Sequence, residues 1–387
     1  MRLQILTAVL LLWSQSQGVN ASEVGQKKSL YFAGAAILGA ASESETRFPR
    51  ISKLIAEKEP NGQSMLDKRL LEKALTQPSI NIITDLGNAS GLDAAAVALV
   101  FTWENTSVQK LTVANTIALD IQAQVLLFDF ASKKVIGAYP FAVQLLDAKD
   151  TIPTEDELKQ KFSALLYGPG GVVDQFSQVL SGIELGRKSE GVFLKIDFAP
   201  IKPEAEESLK NIEIDVVLAQ DVIGFSFERF LSKNAQVPVV PYFKDQVVGS
   251  KMAARFSNAA VFDFVLPEPD FVFRLGLQDY KSIVLAESSS TRSIGFATYL
   301  DVTLLQPLSG KVYFSGTYRL PVTATFPKSV SEIDQRKWFY ESVFALSDQL
   351  TKSLSRDDKG WLNEWAQQKP NKQEVAEVRR VLEKARH

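Results

Sequence analysis

The sequence contains no cysteine, and its single histidine, His387, is the last residue. Without cysteine there are no disulfides, so burial of apolar side chains has to stabilise the fold. Without a second histidine, the Ser-His-Asp and Cys-His catalytic arrangements are excluded. Zinc, haem, iron–sulfur and copper sites also lack their usual ligands. The sequence therefore predicts neither a cofactor nor a metal centre of these kinds.

Long apolar runs are also scarce, and the first residues hold only a short one. Residues 5–13 are apolar, follow the charged Arg2, and are too few to span a bilayer. Polar residues and the small-residue triplet Val19-Asn20-Ala21 come next, which is typical of a secretory signal peptide cleaved after Ala21. A buried first helix or an uncleaved anchor is the alternative. No later segment resembles a membrane span, so we expect the mature chain in the periplasm or outside the cell.

Net charge is small as well, because 43 basic residues oppose 45 acidic ones in a chain of 387 residues. A formal charge of −2 gives no overall attraction to nucleic acid or to an anionic membrane. The composition is that of a globular protein with ample material for a core, and the length fits about two domains. We therefore expect no nucleic-acid partner.

One pattern occurs twice. Residues 116–167 fall on residues 293–344 after a shift of 177 positions without a gap. Both copies alternate apolar and polar residues with the same parity, which predicts strands that bury the same face. Each copy continues through a polar turn, a second long strand and a helix. We expect this helix to be capped by Thr154 with Glu157 in the first copy and by Ser331 with Asp334 in the second. The identical pairs include Val125/Val302, Leu127/Leu304, Ser132/Ser309, Lys134/Lys311, Val135/Val312, Glu155/Glu332 and Phe162/Phe339.

The fold class predicted from this pattern is α+β. We expect two related modules, each a mainly antiparallel sheet with long hairpin strands packed by helices, and a C-terminal helical tail. An apolar segment, residues 30–38 or residues 192–198, is expected to form a first buried strand in each module. The tail helix either lies on the body or binds a partner through its narrow apolar stripe. The predicted divisions are 1–21 signal peptide, 22–181 first module, 182–191 linker, 192–350 second module and 351–387 tail.

Carboxylates are the remaining candidates for catalysis. Residues 212–218 resemble a strand that would place Glu213 and Asp215 on one face, where they would either be solvated or act as an acid–base or Ca²⁺-binding pair. The only S-x-x-K motif, Ser107 to Lys110, lacks the partner motifs that catalysis would need. Residues 168–171 (GPGG) follow a predicted helix, so they terminate it rather than bind phosphate. We assign no catalytic residue.

A candidate binding face lies on the second hairpin. Alternate residues there are polar or aromatic, while the residues between them are apolar. A sheet face rich in Tyr, Ser, Thr and Arg suits the binding of protein or glycan, and a plainly solvated face is the alternative. The face consists of Tyr313, Ser315, Thr317, Arg319 and Thr323.

Residues 66–85 (LDKRLLEKALTQPSINIITD) predict an amphipathic helix, a short break and a strand, followed by a hairpin and another helix. This order resembles the small α/β modules of bacterial envelope proteins, such as the amino-terminal domain of TolB and the auxiliary lipoproteins of transport complexes. The lipid-bearing cysteine of the lipoprotein members is absent here. The resemblance implies a non-catalytic role in the envelope and transfers no functional residue.

The sequence thus predicts a non-catalytic, secreted or periplasmic binding or assembly factor of the cell envelope. Its expected partner is another envelope protein or a glycan, and oligomers are compatible with the sequence. Two alternatives remain open. One is a carboxylate-dependent hydrolase acting on glycans, and the other is a subunit of a homomeric envelope assembly.

Overall fold

The computed structural model describes residues 28–39, 47–84, 95–110, 115–183, 191–242, 247–248, 251–258, 260–330, 333–356 and 358–386. The predicted signal peptide with its cleavage site after Ala21, and most of the predicted linker, lie outside these residues. Within the described ranges, no helix has both the length and the apolar character needed to cross a membrane.

Strands and helices follow one another in a similar order in the two halves of the chain. The first half contains β1 (Lys28–Leu38), α1 (Ile51–Ile55), α2 (Met65–Leu75), β2 (Ile80–Ile83), β3 (Ala95–Lys110), β4 (Asn115–Asp129), β5 (Val135–Lys149), α3 (Glu155–Tyr167) and α4 (Val172–Gly182). The second half contains β6 (Leu194–Phe198), α5 (Pro203–Asn211), α6 (Val216–Ala235), β7 (Val247–Val248), β8 (Lys251–Phe256), β9 (Val261–Val265), β10 (Phe271–Glu287), β11 (Thr291–Leu305), β12 (Val312–Pro327), α7 (Gln335–Ser355), α8 (Lys359–Trp365) and α9 (Lys372–Arg386).

The two sheets contain the same four-stranded arrangement. Sheet one has the order β5-β4-β3-β1-β8-β7, with β2 added to β1 and β9 to β8, and sheet two has the order β12-β11-β10-β6. In each sheet a first strand runs parallel to a long strand, β1 to β3 or β6 to β10, and two antiparallel strands follow. The α+β class, with long antiparallel hairpins packed by helices, is confirmed. Descent of the two halves from one ancestor stays a prediction.

Strands from both sides of the predicted linker complete sheet one. Strand β8 pairs antiparallel with β1, so that Ala36 lies opposite Phe256. Pairing between strands so distant in sequence is set by the tertiary fold, and local pattern gives no sign of it. The assignment of residues 22–181 and 192–350 to separate modules stays a prediction, while sheet one joins parts of both.

Alternation along β4 places its side chains in two different cores. Ile117, Leu119 and Ile121 are fully buried and pack in the core between sheet one and helices α2, α3 and α4. Leu126 and Phe128 face the other way, into a second core shared with helices α6, α7 and α9 and with the inner face of sheet two. Sheet one is therefore covered on both sides, which explains the continuous apolar run at the end of β4.

The predicted capping box at the start of α3 is confirmed. The Thr154 hydroxyl accepts a hydrogen bond from the Glu157 N–H at 3.3 Å, and the Glu157 carboxylate accepts one from the Thr154 N–H at 2.9 Å. The corresponding helix α7 begins later than predicted, because Asp334 is its N-cap and accepts from the Arg336 N–H at 3.1 Å. Ser331 lies outside the described residues.

The predicted strand over residues 212–218 is wrong. Helix α6 begins within this segment, since the Asp215 side chain accepts from the Leu218 N–H at 2.8 Å and caps the helix. Glu213 has a φ of 57°, the left-handed region, in the turn between α5 and α6. The two carboxylates therefore do not share a strand face. An aspartate followed by an apolar run predicts a helix start equally well, and here the N-cap decides the structure.

The tail lies on the body of the protein. Its apolar stripe is buried, with Val378 fully inaccessible and Leu382 only 2% exposed. The Arg386 guanidinium donates to the carbonyl of Ala235 at the end of α6, at 2.8 Å. Trp361 on α8 stacks on Tyr318 of β12, with the ring centroids 6.2 Å apart. Of the two alternatives for the tail, the structure has the docked helix.

Candidate functional site

The outer face of sheet two carries a ladder of polar side chains. In β12, Phe314 and Tyr318 are fully buried on the inner side of the sheet, so the residues of the other parity, Ser315, Thr317 and Arg319, point outward. The register places Ser315, Thr317 and Arg319 opposite outward residues of β11. The three cross-strand pairs are Ser315 with Thr303, Thr317 with Asp301, and Arg319 with Tyr299. We call these six residues the polar ladder.

Each pair of the polar ladder is joined directly. The Ser315 and Thr303 hydroxyls lie 3.1 Å apart, and the Thr317 hydroxyl donates to the Asp301 carboxylate at 2.5 Å. The Arg319 guanidinium donates to the Tyr299 hydroxyl at 3.1 Å. Cross-strand contacts of this kind hold side chains in one arrangement. The ladder is therefore partly ordered before any partner binds.

Side chains on the neighbouring strand β10 extend the ladder. Gln278 donates to the Asp301 carboxylate and accepts a hydrogen bond from Lys202. The Lys281 ammonium lies 3.0 Å from the Asp279 carboxylate and 5.5 Å from the centroid of the Tyr299 ring. Hydrogen bonding to Asp279 raises the pKa of Lys281, so this end of the ladder keeps its positive charge beside the half-buried Tyr299 ring.

Two residues of the predicted face differ from the other three. At the start of β12 the register with β11 shifts, with Phe314 opposite Leu304 but Val312 opposite Leu305, so Tyr313 is the extra residue of a bulge. The Tyr313 ring packs on the buried Phe271, with centroids 5.3 Å apart, instead of joining the ladder. Thr323 is exposed farther along the strand, opposite Gly295. The structure thus brings together Ser315, Thr317 and Arg319.

A cavity of about 460 Å³ lies at the end of the same face, where β6, β10, β11 and β12 meet. Two cationic side chains, Lys195 and Arg274, and one carboxylate, Asp197, contribute its charge. Arg274 lies 3.9 Å from Asp197 and is opposite Thr303 of the ladder in the strand register. The remaining lining residues are Pro269, Val272, Leu305, Pro307, Gly310 and Val312. The cavity and the ladder therefore form one continuous outer surface.

Sequence reasoning identified only the β12 half of this surface. The predicted face lies on β12 alone and includes none of Tyr299, Asp301 and Thr303 of β11. The alternation of β11 contained that information, because residues 299, 301 and 303 share one parity. The cavity residues gave no such signal, since Lys195 and Arg274 meet only through the parallel pairing of β6 with β10.

The carboxyls with raised pKa lie elsewhere. Burial raises the pKa of Asp120 to about 6 and that of Glu228 to about 8. Burial also raises the pKa of Asp67 and of Glu104, against the opposing effect of their hydrogen bonds. None of these four lines the cavity described above. They belong to the packing of the interior and not to the outer surface of sheet two.

Residues of the two other sequence motifs lie in regular structure. Ser107 and Lys110, the ends of the S-x-x-K motif, are on strand β3 and not at the start of a helix. Residues 168–171 lie between α3 and α4, and the Gly168 N–H donates to the Ala164 carbonyl at 2.8 Å. The predicted termination of a helix at Gly168 is confirmed.

Comparison with known proteins finds distant likeness only. No family model matches the sequence, and no curated protein matches it. Among solved structures, a minor lipoprotein from Acinetobacter baumannii aligns with 12% identity over 40% of this chain and 93% of its own, at a TM-score of 0.24. A structure described as a neuraminyllactose-binding hemagglutinin homolog from Helicobacter pylori aligns with 15% identity over 43% of this chain and 87% of its own, at a TM-score of 0.25. A hypothetical protein from Chlamydia trachomatis aligns with 10% identity over 40% of this chain and 95% of its own, at a TM-score of 0.23. All three TM-scores are 0.25 or lower.

Proposed function

We propose that this protein is a non-catalytic binding or assembly factor of the bacterial cell envelope, acting in the periplasm or outside the cell. The observation on which the proposal rests is the outer surface of sheet two, where the polar ladder runs into the 460 Å³ cavity. The expected location follows from the secretory signal predicted in the sequence. The partner is another envelope protein or a glycan.

The chemistry of the ladder supports binding. Tyr and Arg are the residues that contribute most often to binding energy at interfaces, and here Arg319 and Tyr299 lie side by side on an outward face. Hydroxyl and carboxylate groups at Ser315 and Asp301 add donors and acceptors. Because these side chains already contact each other, a partner would lose less binding energy to their ordering.

The composition of the cavity favours binding over glycan hydrolysis. Most glycoside hydrolases use two carboxyl groups about 5–10 Å apart on either side of the bond that they cleave. Among the residues that line the cavity, Asp197 is the one carboxylate, and it faces Arg274. The carboxyls whose pKa values are raised enough for acid catalysis, such as Glu228, are buried in the core. Hydrolysis remains the alternative that an assay has to exclude.

Affinity capture from envelope extract tests the proposal. The mature protein should retain a stable partner, and Arg319→Ala should weaken its capture by about tenfold, a typical effect of losing an interfacial arginine. The matched control is Arg69→Ala, which removes an exposed arginine on α2 that contacts only its helical neighbour Glu72 among the ion pairs described. Equal capture by wild type and Arg319→Ala, or turnover of a glycan substrate by the purified protein, would contradict the proposal.

A further inference from the structure

One edge of sheet two is open and apolar. Strand β10 pairs with β6 only from Phe271 to Leu275, although its pairing with β11 continues to Glu287. Beyond Leu275, no described strand covers the other side of β10. Residues 281–287 (KSIVLAE) are all exposed. An uncovered edge strand offers a row of backbone donors and acceptors to another strand.

Three large apolar side chains lie together on this edge. Ile283, Val284 and Leu285 are 59%, 59% and 52% exposed, although they are consecutive in a strand. Isolated exposed apolar residues are ordinary, but a run of three on a strand edge favours pairing with another chain. We call residues 281–287 the open edge.

The corresponding edge in the first half is protected. There the Glu104 carboxylate on β3 accepts hydrogen bonds from the backbone N–H groups of Arg50 and Ile51, at 3.1 and 3.0 Å. The Arg50 guanidinium also donates to Thr106 at 3.1 Å. By strand register, Glu104 and Thr106 correspond to Tyr280 and Ser282 on β10. The carboxylate that anchors the covering segment on β3 is thus replaced on β10 by a tyrosine, whose hydroxyl donates to the Gln335 carbonyl at the start of α7.

The open edge is complementary to itself. If two copies of the segment pair antiparallel about Val284, each Lys281 lies opposite the Glu287 of the other copy. Ile283 then lies opposite Leu285, and the two Val284 residues meet at the centre. Opposite charges at both ends and apolar residues in the middle are the arrangement that stabilises an antiparallel strand pair. The charge pattern therefore selects a second copy of this chain as the occupant of the edge.

We propose that two copies of this protein form a twofold dimer by antiparallel pairing of their open edges, which joins sheet two of each copy into one continuous sheet. The contact uses the same residues on both sides, as a closed twofold interface requires. Lys281 and Glu287 are each 56% exposed even though they contact Asp279 and Lys328 in their own chain, so both charges are accessible.

The pairing is expected to be weak. The register between β10 and β11 shifts at Leu285, next to the centre of the open edge. A bulge increases the local twist of a strand and limits the length over which an edge can pair. The dimer should therefore dissociate on dilution, and sedimentation velocity over a concentration series is the appropriate measurement.

Exchange of the two charges tests the proposal. Lys281→Glu and Glu287→Lys should each raise the dimer dissociation constant by roughly tenfold, because each change places like charges together at two symmetry-related positions. The double variant Lys281→Glu with Glu287→Lys restores opposite charges across the twofold axis and should return to the wild-type dissociation constant. Thermal unfolding of each variant verifies that it is folded.

Val284→Lys should give a monomer at every concentration, because it places two cations together at the centre of the pair. The matched control is Leu308→Lys, which adds the same charge at a 96% exposed apolar residue in the turn between β11 and β12 and should leave the dimer unchanged. A wild-type protein that is monomeric throughout, or a double charge variant as weak as the single ones, would overturn the proposal. So would a dimer that persists in Val284→Lys.

Discussion

Glu228 is a carboxyl group buried in the core. It is 2% exposed on helix α6, and an oxygen of its carboxyl group accepts a hydrogen bond from the Tyr242 backbone N–H at 3.1 Å. Burial raises its pKa to about 8, well above the ordinary 4.5, despite the lowering effect of that hydrogen bond. Glu228 is therefore protonated in the folded protein at neutral pH and ionised in the unfolded chain.

This difference predicts a pH dependence of stability. Between pH 4.5 and about 8 the folded state holds a proton that the unfolded state has released, so stability falls as pH rises through this interval. Glu228→Gln keeps an acceptor for Tyr242 and removes the titration. Its free energy of unfolding should increase relative to wild type by up to about 1.4 kcal/mol per pH unit in this interval. Denaturant unfolding at a series of pH values measures the difference.

Asp120→Asn serves as the comparison. Burial raises the pKa of Asp120 only to about 6 from 3.8. The free energy of unfolding of Asp120→Asn should therefore increase relative to wild type between pH 3.8 and about 6, and the difference should stay constant above pH 6. A difference between Glu228→Gln and wild type that does not change with pH would show that Glu228 is ionised in the fold.

Single residues also show where sequence patterns fail. Glu213 and Asp215 alternate with Ile212, Ile214 and Val216, which is the pattern of a strand. The structure has a left-handed turn at Glu213 and an N-cap at Asp215. The same alternation is compatible with both outcomes, and the side-chain hydrogen bond of the aspartate gives the helix its advantage.

At the scale of elements, the capping box of α3 allows a quantitative test. Thr154→Ala removes the acceptor for the Glu157 N–H, which should lower the free energy of unfolding by about 1 kcal/mol. Thr154→Ser retains a hydroxyl and should remain close to wild type. Urea denaturation of the three proteins measures both values, and an equal loss in the alanine and serine variants would show that the cap itself contributes nothing.

The long hairpins were predictable because alternation, turn residues and a capped helix all agree locally. Strand β10 runs without a break from Phe271 to Glu287, through a bulge near Gln278. The polar residues at 278, 279 and 281 would favour a loop by their composition. Gln278 and Lys281 instead contact the polar ladder, and Asp279 pairs with Lys281.

At the scale of the whole molecule, the contacts between the halves were not predictable. Asp120, Gln122 and Gln124 occupy the polar side of β4, which the sequence alone would leave in solvent. Gln124 is instead buried and Asp120 half-buried, and Asp120 lies near Arg229 of α6. No local pattern specifies that a helix from the second half covers this side of sheet one. The same holds for β8, which joins sheet one from the second half of the chain.

The two halves also differ in their edges, and this difference separates the two proposals. The polar ladder and the cavity occupy the outer face of sheet two, while the open edge lies along β10. Lys281 contacts Tyr299 of the ladder and also lies on the open edge, whereas Val284 belongs to the open edge alone, so Val284→Lys separates formation of a dimer from binding of an envelope partner. Loss of one by substitution need not remove the other.

Site-specific photo-crosslinking in the intact envelope tests the binding role most directly. A photoreactive residue at Ser315, which is exposed at the end of the polar ladder nearest to the cavity, should form a discrete covalent product with a partner. The same residue at Glu72, which is exposed on α2 on the far side of sheet one, should not. A discrete product from position 315 alone is the predicted result, and no product from 315, or equal products from both positions, would contradict it.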